Sequence, residues 1–317
     1  MKKKKLSKLA VIEIPYGDIG WGTSPGHEWE GVRSDIQHWK KYRELDDYRL
    51  CGVYTRAEVP YCVDELVLEQ PVDNEVYLAL AKKVSDIVST HLEKGEAVLA
   101  VGGYCRDAVG ICGGIQRAFG KDTRIGIVYL DAHSDMASPE ITKSGILGGM
   151  DLNCVLGLSL PEWREAAYLE KPVEAGNVIL GDFRNILPNE DDGTSELVRK
   201  LDIVLMGPDI FCDEQAFRAQ VESLAERVDI IYLHIDEDVL DKKYAPNAWC
   251  LSEIPGPSVE LVNKHIKTVM NTGKVAVFSV LDVYFELDEN GQEAATLNAM
   301  RMISSGLEAW KEQPEIG

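Results

Sequence analysis

Short apolar runs alternate with longer amphipathic stretches along this chain. The runs cover residues 9–14, 97–101, 125–130, 178–180, 203–206, 230–235 and 275–281. Each is too short for a helix, rich in aliphatic residues and bounded by Gly, Asp or Asn, a pattern that suits strands buried in a parallel sheet. Helical patterns lie between them. Val76, Leu80, Val84, Ile87, Val88 and His91 fall on one stripe of a 3.6-residue period, and Gly95 stands just past its end. Val221, Leu224, Ala225 and Val228 repeat that stripe ahead of the run at 230. Strands alternating with helices predict an α/β fold, its mostly parallel sheet covered on both faces. No Pro/Ser/Gly-rich linker or internal repeat interrupts residues 1–317, so a single domain is expected, with loops at 17–34 and 189–194.

Open parallel sheets bind ligands at the carboxyl ends of their strands. Three runs here end in unusual residues. The run at 125–130 leads into Asp131-Ala132-His133-Ser134-Asp135, the run at 230–235 into Asp236-Glu237-Asp238-Val239-Leu240-Asp241, and the run at 97–101 into Gly102-Gly103-Tyr104-Cys105-Arg106-Asp107. Carboxylates gathered at the mouth of a buried sheet repel one another and are costly to desolvate, so a cation, protonation or solvent must compensate them. On an extended chain, spacing by two puts Asp131, His133 and Asp135 on one side, and likewise Asp236 and Asp238. This oxygen and nitrogen donor set suits divalent manganese and also accommodates zinc or iron. Each D-x-D alone reads equally well as a strand-end turn or helix cap, but two such motifs after two separate apolar runs favour metal. His234 shares the strand face of Asp236 and is a candidate proton carrier or donor beside the metals. Arg106 and Asp107 are expected to pair at a helix start, and Asp241 to cap a turn.

Charge narrows the function. Of 317 residues, 33 are Lys or Arg and 53 are Asp or Glu, a net charge of −20. Phosphate backbones should be repelled, so no nucleic-acid partner is expected, whereas small cationic substrates are favoured. The seven cysteines are scattered, odd in number and form no C-x-x-C pair, which suggests a reducing compartment. The start Met1-Lys2-Lys3-Lys4-Lys5 resembles the basic region of a signal peptide, but Lys8 and Glu13 break the apolar stretch such a peptide needs next. No apolar run approaches the roughly 18 residues of a membrane span. A cytoplasmic protein with no membrane partner is expected.

The Asp131–Asp135 and Asp236–Asp241 blocks resemble the two signature blocks of the arginase/agmatinase/formiminoglutamase (ureohydrolase) family. Gly102-Gly103-Tyr104-Cys105 falls where that family has its first block, and Ser144-Gly145 and Gly148-Gly149 resemble the segment after the D-A-H-x-D block. The resemblance implies a three-layer α/β/α domain with a parallel sheet of about eight strands, commonly assembled as trimers or hexamers. It also implies two Mn(II) ions that activate water for attack on a guanidine or related carbon. Carried over residue by residue, Asp131 and Asp236 would bridge both ions. His133 and Asp238 would complete one position, Cys105 and Asp135 the other.

The chain departs from the family in several places. Cys105 stands where the first block has a His ligand; a thiolate can bind Mn, Fe or Zn but adds negative charge and favours softer metals. An arm of the family with Cys here and a Gly-Gly-Met run, as in Gly148-Gly149-Met150, is similar and acts on modified guanidines such as hydroxyguanidines. Gly148 stands where arginases carry a proton-shuttling His, and Ala137 where they carry an Asn that grips the substrate carboxylate. Asp282-Val283-Tyr284-Phe285-Glu286 resembles the segment whose Glu pairs with the guanidinium, so Glu286 is the candidate acid, although it falls one residue late. His27 and Trp29 are candidates for a substrate lid. The expectation is a metal-dependent hydrolase of a non-peptide C–N bond in a guanidino, hydroxyguanidino, amidino or formimino compound. A single-zinc deacetylase-like hydrolase using Asp131, His133 and Asp236 or Asp238, and a non-catalytic relative, are the alternatives.

Overall fold

Every apolar run expected as a strand is one in the computed structural model, which describes residues 1–16, 40, 59–68, 76–142, 145–184, 194–246, 248, 254–285 and 287–316. His27, Trp29, Ser144 and Glu286 lie outside the described residues, as do the expected loop at 17–34 and all of 189–194 but Thr194. The strands are β1 (Lys3–Lys5), β2 (Leu9–Ile14), β3 (Tyr61–Glu65), β4 (Ala97–Gly102), β5 (Ile125–Leu130), β6 (Val178–Gly181), β7 (Val204–Met206), β8 (Ile230–Asp236), β9 (Val275–Leu281) and β10 (Glu312–Pro314). Eight of them form one sheet in the order β3-β2-β4-β9-β8-β5-β6-β7. All of its pairings are parallel.

The long helices are α1 (Val76–Glu93), α2 (Ala108–Phe119), α3 (Glu214–Arg227), α4 (Val259–Met270) and α5 (Ala294–Ala309). Successive strand side chains point to opposite faces of the sheet, so each strand feeds two cores. Ala10, Ile12, Val98, Ile127 and Tyr232 pack with Val84 and Val88 of α1 and Ile111 and Ile115 of α2. Leu9, Val11, Leu99, Val128 and Leu233 pack with Val221 and Leu224 of α3, Ile266 of α4 and Ile303 of α5. The result is the three-layer α/β/α arrangement. The α1 stripe is buried as expected at Val76, Leu80, Val84, Val88 and His91. Asp213 caps α3 by accepting from the backbone N–H groups of Gln215 and Ala216. Val228 falls one residue past that helix.

Three strands escaped the pattern. β3 is an edge strand with one neighbour, β2, and Cys62 and Asp64 alternate outward, so it has no apolar run. The lysine-rich start is likewise a strand: β1 pairs antiparallel with β10, Lys3 opposite Pro314. Among the described residues no helix is long and apolar enough to cross a membrane.

Candidate metal centre

Four neighbouring strands of the sheet, β4, β9, β8 and β5, deliver the candidate residues at their carboxyl ends. β4 runs into Gly102 and Gly103, with φ of +74° and +75°. A side chain at Gly103 would also collide with Asp107 Oδ2, 2.2 Å from its Cβ, so this left-handed turn needs glycine. The turn continues into a short helical segment, Cys105–Asp107, steadied by Tyr104 N–H donating to Asp107 Oδ2 at 3.0 Å. Arg106 and Asp107 form the expected ion pair, at 3.8 Å.

Cys105, Asp131, His133, Asp135, His234, Asp236 and Asp238 all converge here, but not by the simple alternation of an extended chain. Only His234 and Asp236 lie within a strand. Asp135 has φ +49°, and Asp238 sits in a tight turn whose N–H donates to Asp236 Oδ1 at 2.7 Å. The Asp131 carboxylate accepts from His133 N–H at 2.5 Å, and Asp238 accepts from Ala132 N–H at 3.2 Å and from His133 Nδ1 at 2.7 Å. The Cys105 thiol donates to Asp236 Oδ2 at 2.9 Å and lies 3.4 Å from His234 Nε2. Donor atoms of Asp131, His133 and Asp238 lie within 4.8 Å of one another, as do those of Cys105, Asp236 and Asp282, and those of Cys105, Asp131 and His234.

The electrostatics ask for a cation. Burial first, then the charges of Asp135 and Asp238, pushes Asp131 well above the usual carboxylate range. Burial and the charges of Asp238, Asp282 and Asp131 do the same to Asp236. Burial opposes the His133 imidazolium, but Asp238 and the other carboxylates outweigh it and raise the ring to about 10. Asp131 Oδ2 is buried with no hydrogen-bond partner among the described residues. An orphaned buried carboxylate oxygen facing other carboxylates is the position a divalent ion fills, so this donor set fits metal.

A model of the arginase family matches residues 24–306. The chain belongs to the arginase family. The arginase of Bacillus caldovelox is 26% identical over 168 residues, spanning 52% of this chain and about half, 54%, of that relative's length. The formimidoylglutamase of Nocardia farcinica is 30% identical over 205 residues, 62% of this chain and 55% of that protein. The arginase of Entamoeba histolytica in complex with L-ornithine shares the fold over 96% of this chain and 99% of its own, with a TM-score of 0.76 at 17% identity.

This arginase-family centre includes residues the sequence did not single out. Asp282, with φ +55° and its N–H donating to Gly103 O at 3.1 Å, brings a carboxylate from the end of β9. The signal was available: an acid directly after an apolar run. Tyr129 Oη lies 2.6 Å from Asp135 Oδ2 and 3.1 Å from Asp151 Oδ2. Its hydroxyl donates towards both, so it ties the Asp135 carboxylate to a second buried acid. Burial and the Asp135 charge hold the Asp151 carboxyl well above its ordinary range, and burial raises Asp135 to about 6 against the Tyr129 hydrogen bond. Arg184, buried, donates to the carbonyls of Asp238 and Val239 at 2.7 Å each while pairing with Asp182. It pins the turn that carries Asp238. No local sequence signal marks Arg184 or Asp151: Asp182 lies two residues from Arg184, but the Asp238 turn that Arg184 holds and the Tyr129 that meets Asp151 come from other segments. Asp241 accepts from Lys243 N–H and Gly256 N–H at 3.2 Å each, the turn-capping role expected of it.

Proposed function

We propose that this arginase-family chain is a ureohydrolase-type enzyme that cleaves a non-peptide C–N bond in a guanidino, hydroxyguanidino, amidino or formimino compound. The observation that carries this reading is the pair of facing donor groups, Asp131/His133/Asp238 and Cys105/Asp236/Asp282, at the carboxyl ends of four adjacent strands. Asp131 and Asp236 would be shared between two divalent ions, His133 and Asp238 would hold one, and Cys105 and Asp135 would complete the other. Manganese is the first candidate, and the thiol widens the choice to zinc or iron. Once bound, such ions supply Lewis acidity and acidify water enough for attack at neutral pH.

The chain's own residues do the rest. Arg184 holds the Asp238 turn, and Tyr129 orients Asp135. The surplus of carboxylates and the net charge of −20 draw a cationic substrate inward. Glu286, beyond β9 in the sequence, is assigned to pair with the substrate's cationic group. A cytoplasmic homo-oligomer, a trimer or hexamer, is the proposed working form.

A second reading has its own support: Asp131, His133 and Asp238 by themselves form a complete three-donor site, enough for one zinc in a deacetylase-like hydrolase. Metal content per chain, followed by a screen of guanidines, hydroxyguanidines and formimino compounds for urea, hydroxyurea or formamide release, tests both. Two ions with turnover of this class support the ureohydrolase. One zinc with amide hydrolysis and no C–N cleavage in the panel supports the alternative.

A further inference from the structure

His234 is fully buried in the middle of the sheet, and every contact around it fixes its ring. One face stacks on Tyr129, with centroids 3.9 Å apart and planes 11° from parallel. Tyr232 meets it edge-on, at 5.8 Å and 83°. Nδ1 lies 2.9 Å from Tyr232 Oη, which in turn lies 2.8 Å from Ser279 Oγ. Nε2 points the other way, 3.4 Å from Cys105 Sγ. Donor atoms of His234, Cys105 and Asp131 lie within 4.8 Å of one another.

We propose that His234 Nε2 is a direct metal ligand, adding an imidazole nitrogen to the position built from Cys105 and Asp131. The inference rests on the dinuclear reading above and deepens it. An imidazole binds metal through a bare nitrogen while its other nitrogen donates its hydrogen to an acceptor. Tyr232 Oη can accept from Nδ1–H and pass its own hydrogen to Ser279 Oγ, which leaves Nε2 bare on the side of Cys105. The thiol cannot satisfy that nitrogen, because its single hydrogen is directed to Asp236 Oδ2 at 2.9 Å. A buried lone pair and a sulfur thus face each other with no hydrogen between them. Their 3.4 Å separation is close to the roughly 3.5 Å that thiolate and imidazole take up as tetrahedral neighbours on zinc-like ions, from bond lengths of about 2.3 and 2.0 Å. The rival arrangement has Nε2–H donating to Cys105 Sγ, with Tyr232 donating to Nδ1. It would make His234 a prop rather than a ligand.

Manganese(II) chloride titrated into metal-free native protein, His234→Gln and Tyr232→Phe distinguishes the two, read by calorimetry and by pulsed electron paramagnetic resonance of nitrogen coupling to Mn(II). The native protein should bind two ions, with imidazole nitrogen on each. His234→Gln should keep one ion with one imidazole and bind the second at least 100-fold more weakly. Tyr232→Phe, which removes only an oxygen, should weaken the second ion by about 10–100-fold. Where His234→Gln does not fold, native protein and Tyr232→Phe decide. Two ions in the native protein with nitrogen on only one of them, or a His234→Gln variant that binds both ions as the native does, overturns the inference and leaves the dinuclear reading intact. Native protein that binds no ion, or only one, overturns that reading and the inference with it.

Discussion

The rings of Tyr129 and His234 lie face to face, 3.9 Å between centroids, because their residues are register partners on adjacent strands β5 and β8. The stack holds the Tyr129 hydroxyl where it meets Asp135 at 2.6 Å. Tyr129→Phe keeps the ring and loses only the hydrogen bond. Metal affinity should fall by about 10–100-fold, the usual cost of removing an outer partner of a ligand, with turnover falling alongside. Titration of Mn(II) into the metal-free variant checks this; native affinity would mean that Asp135 is oriented by something other than Tyr129.

Asp131→Ala and Asp236→Ala should each abolish metal binding, since each residue is assigned to both ions. Elemental analysis after gel filtration gives the answer, with melting curves taken in chelator to confirm folding. Stoichiometric metal retained in both variants would sink the dinuclear assignment.

Arg184→Met tests the buried pair with Asp182. Burial raises the Asp182 carboxyl to about 7 in spite of the Arg184 charge, above its usual value of about 3.9. Folded protein therefore holds a proton that the unfolded chain has lost, and this group makes stability decline as pH rises from about 4 towards 7. Without Arg184 the charged form has no partner. The variant should lose about 3–5 kcal/mol at pH 8 and less at pH 6, where Asp182 takes up a proton. Urea unfolding at the two pH values measures it. An equal loss at both would show that Asp182 is not the group left behind.

Gly113→Ala addresses the packing of α2 against the segment that carries Ala167. An added Cβ on α2 would fall 1.9 Å from the Ala167 carbonyl oxygen, and backbone cannot move aside as a side chain can. A loss of about 1–3 kcal/mol is expected, seen as a lower melting temperature with metal stoichiometry unchanged. A variant as stable as the native chain would mean that the segment around Ala167 shifts freely.

Sequence alone revealed what local chemistry dictates. Runs of aliphatic residues marked β2, β4 to β9 and their burial, and acids placed straight after such runs marked Asp131, Asp236 and Asp238. β3 stayed hidden because an edge strand needs apolar side chains on one face only, and Cys62 and Asp64 point away from it. Asp151 and Arg184 stayed hidden for another reason: their meaning lies in Tyr129 and the Asp238 turn, which the fold alone brings to them. Asp135 was found for its spacing, yet it reaches the centre through a left-handed backbone rather than through an extended one.

β9 enters the sheet between β4 and β8, Val98 pairing with Val277 and His234 with Ser279. The strand that separates and aligns the Cys105 and Asp236 sides therefore follows β8 in sequence yet must insert at the centre of the sheet instead of adding to an edge. Pairings this distant in sequence form late, after the large loop-closure cost has been met. Until β9 is seated, nothing in the sheet joins β4 to β8 and holds Cys105 against Asp236. The half of the centre that needs Cys105 beside Asp236 is therefore completed only once β9 has inserted, whereas Asp131, His133 and Asp238 already meet across β5 and β8.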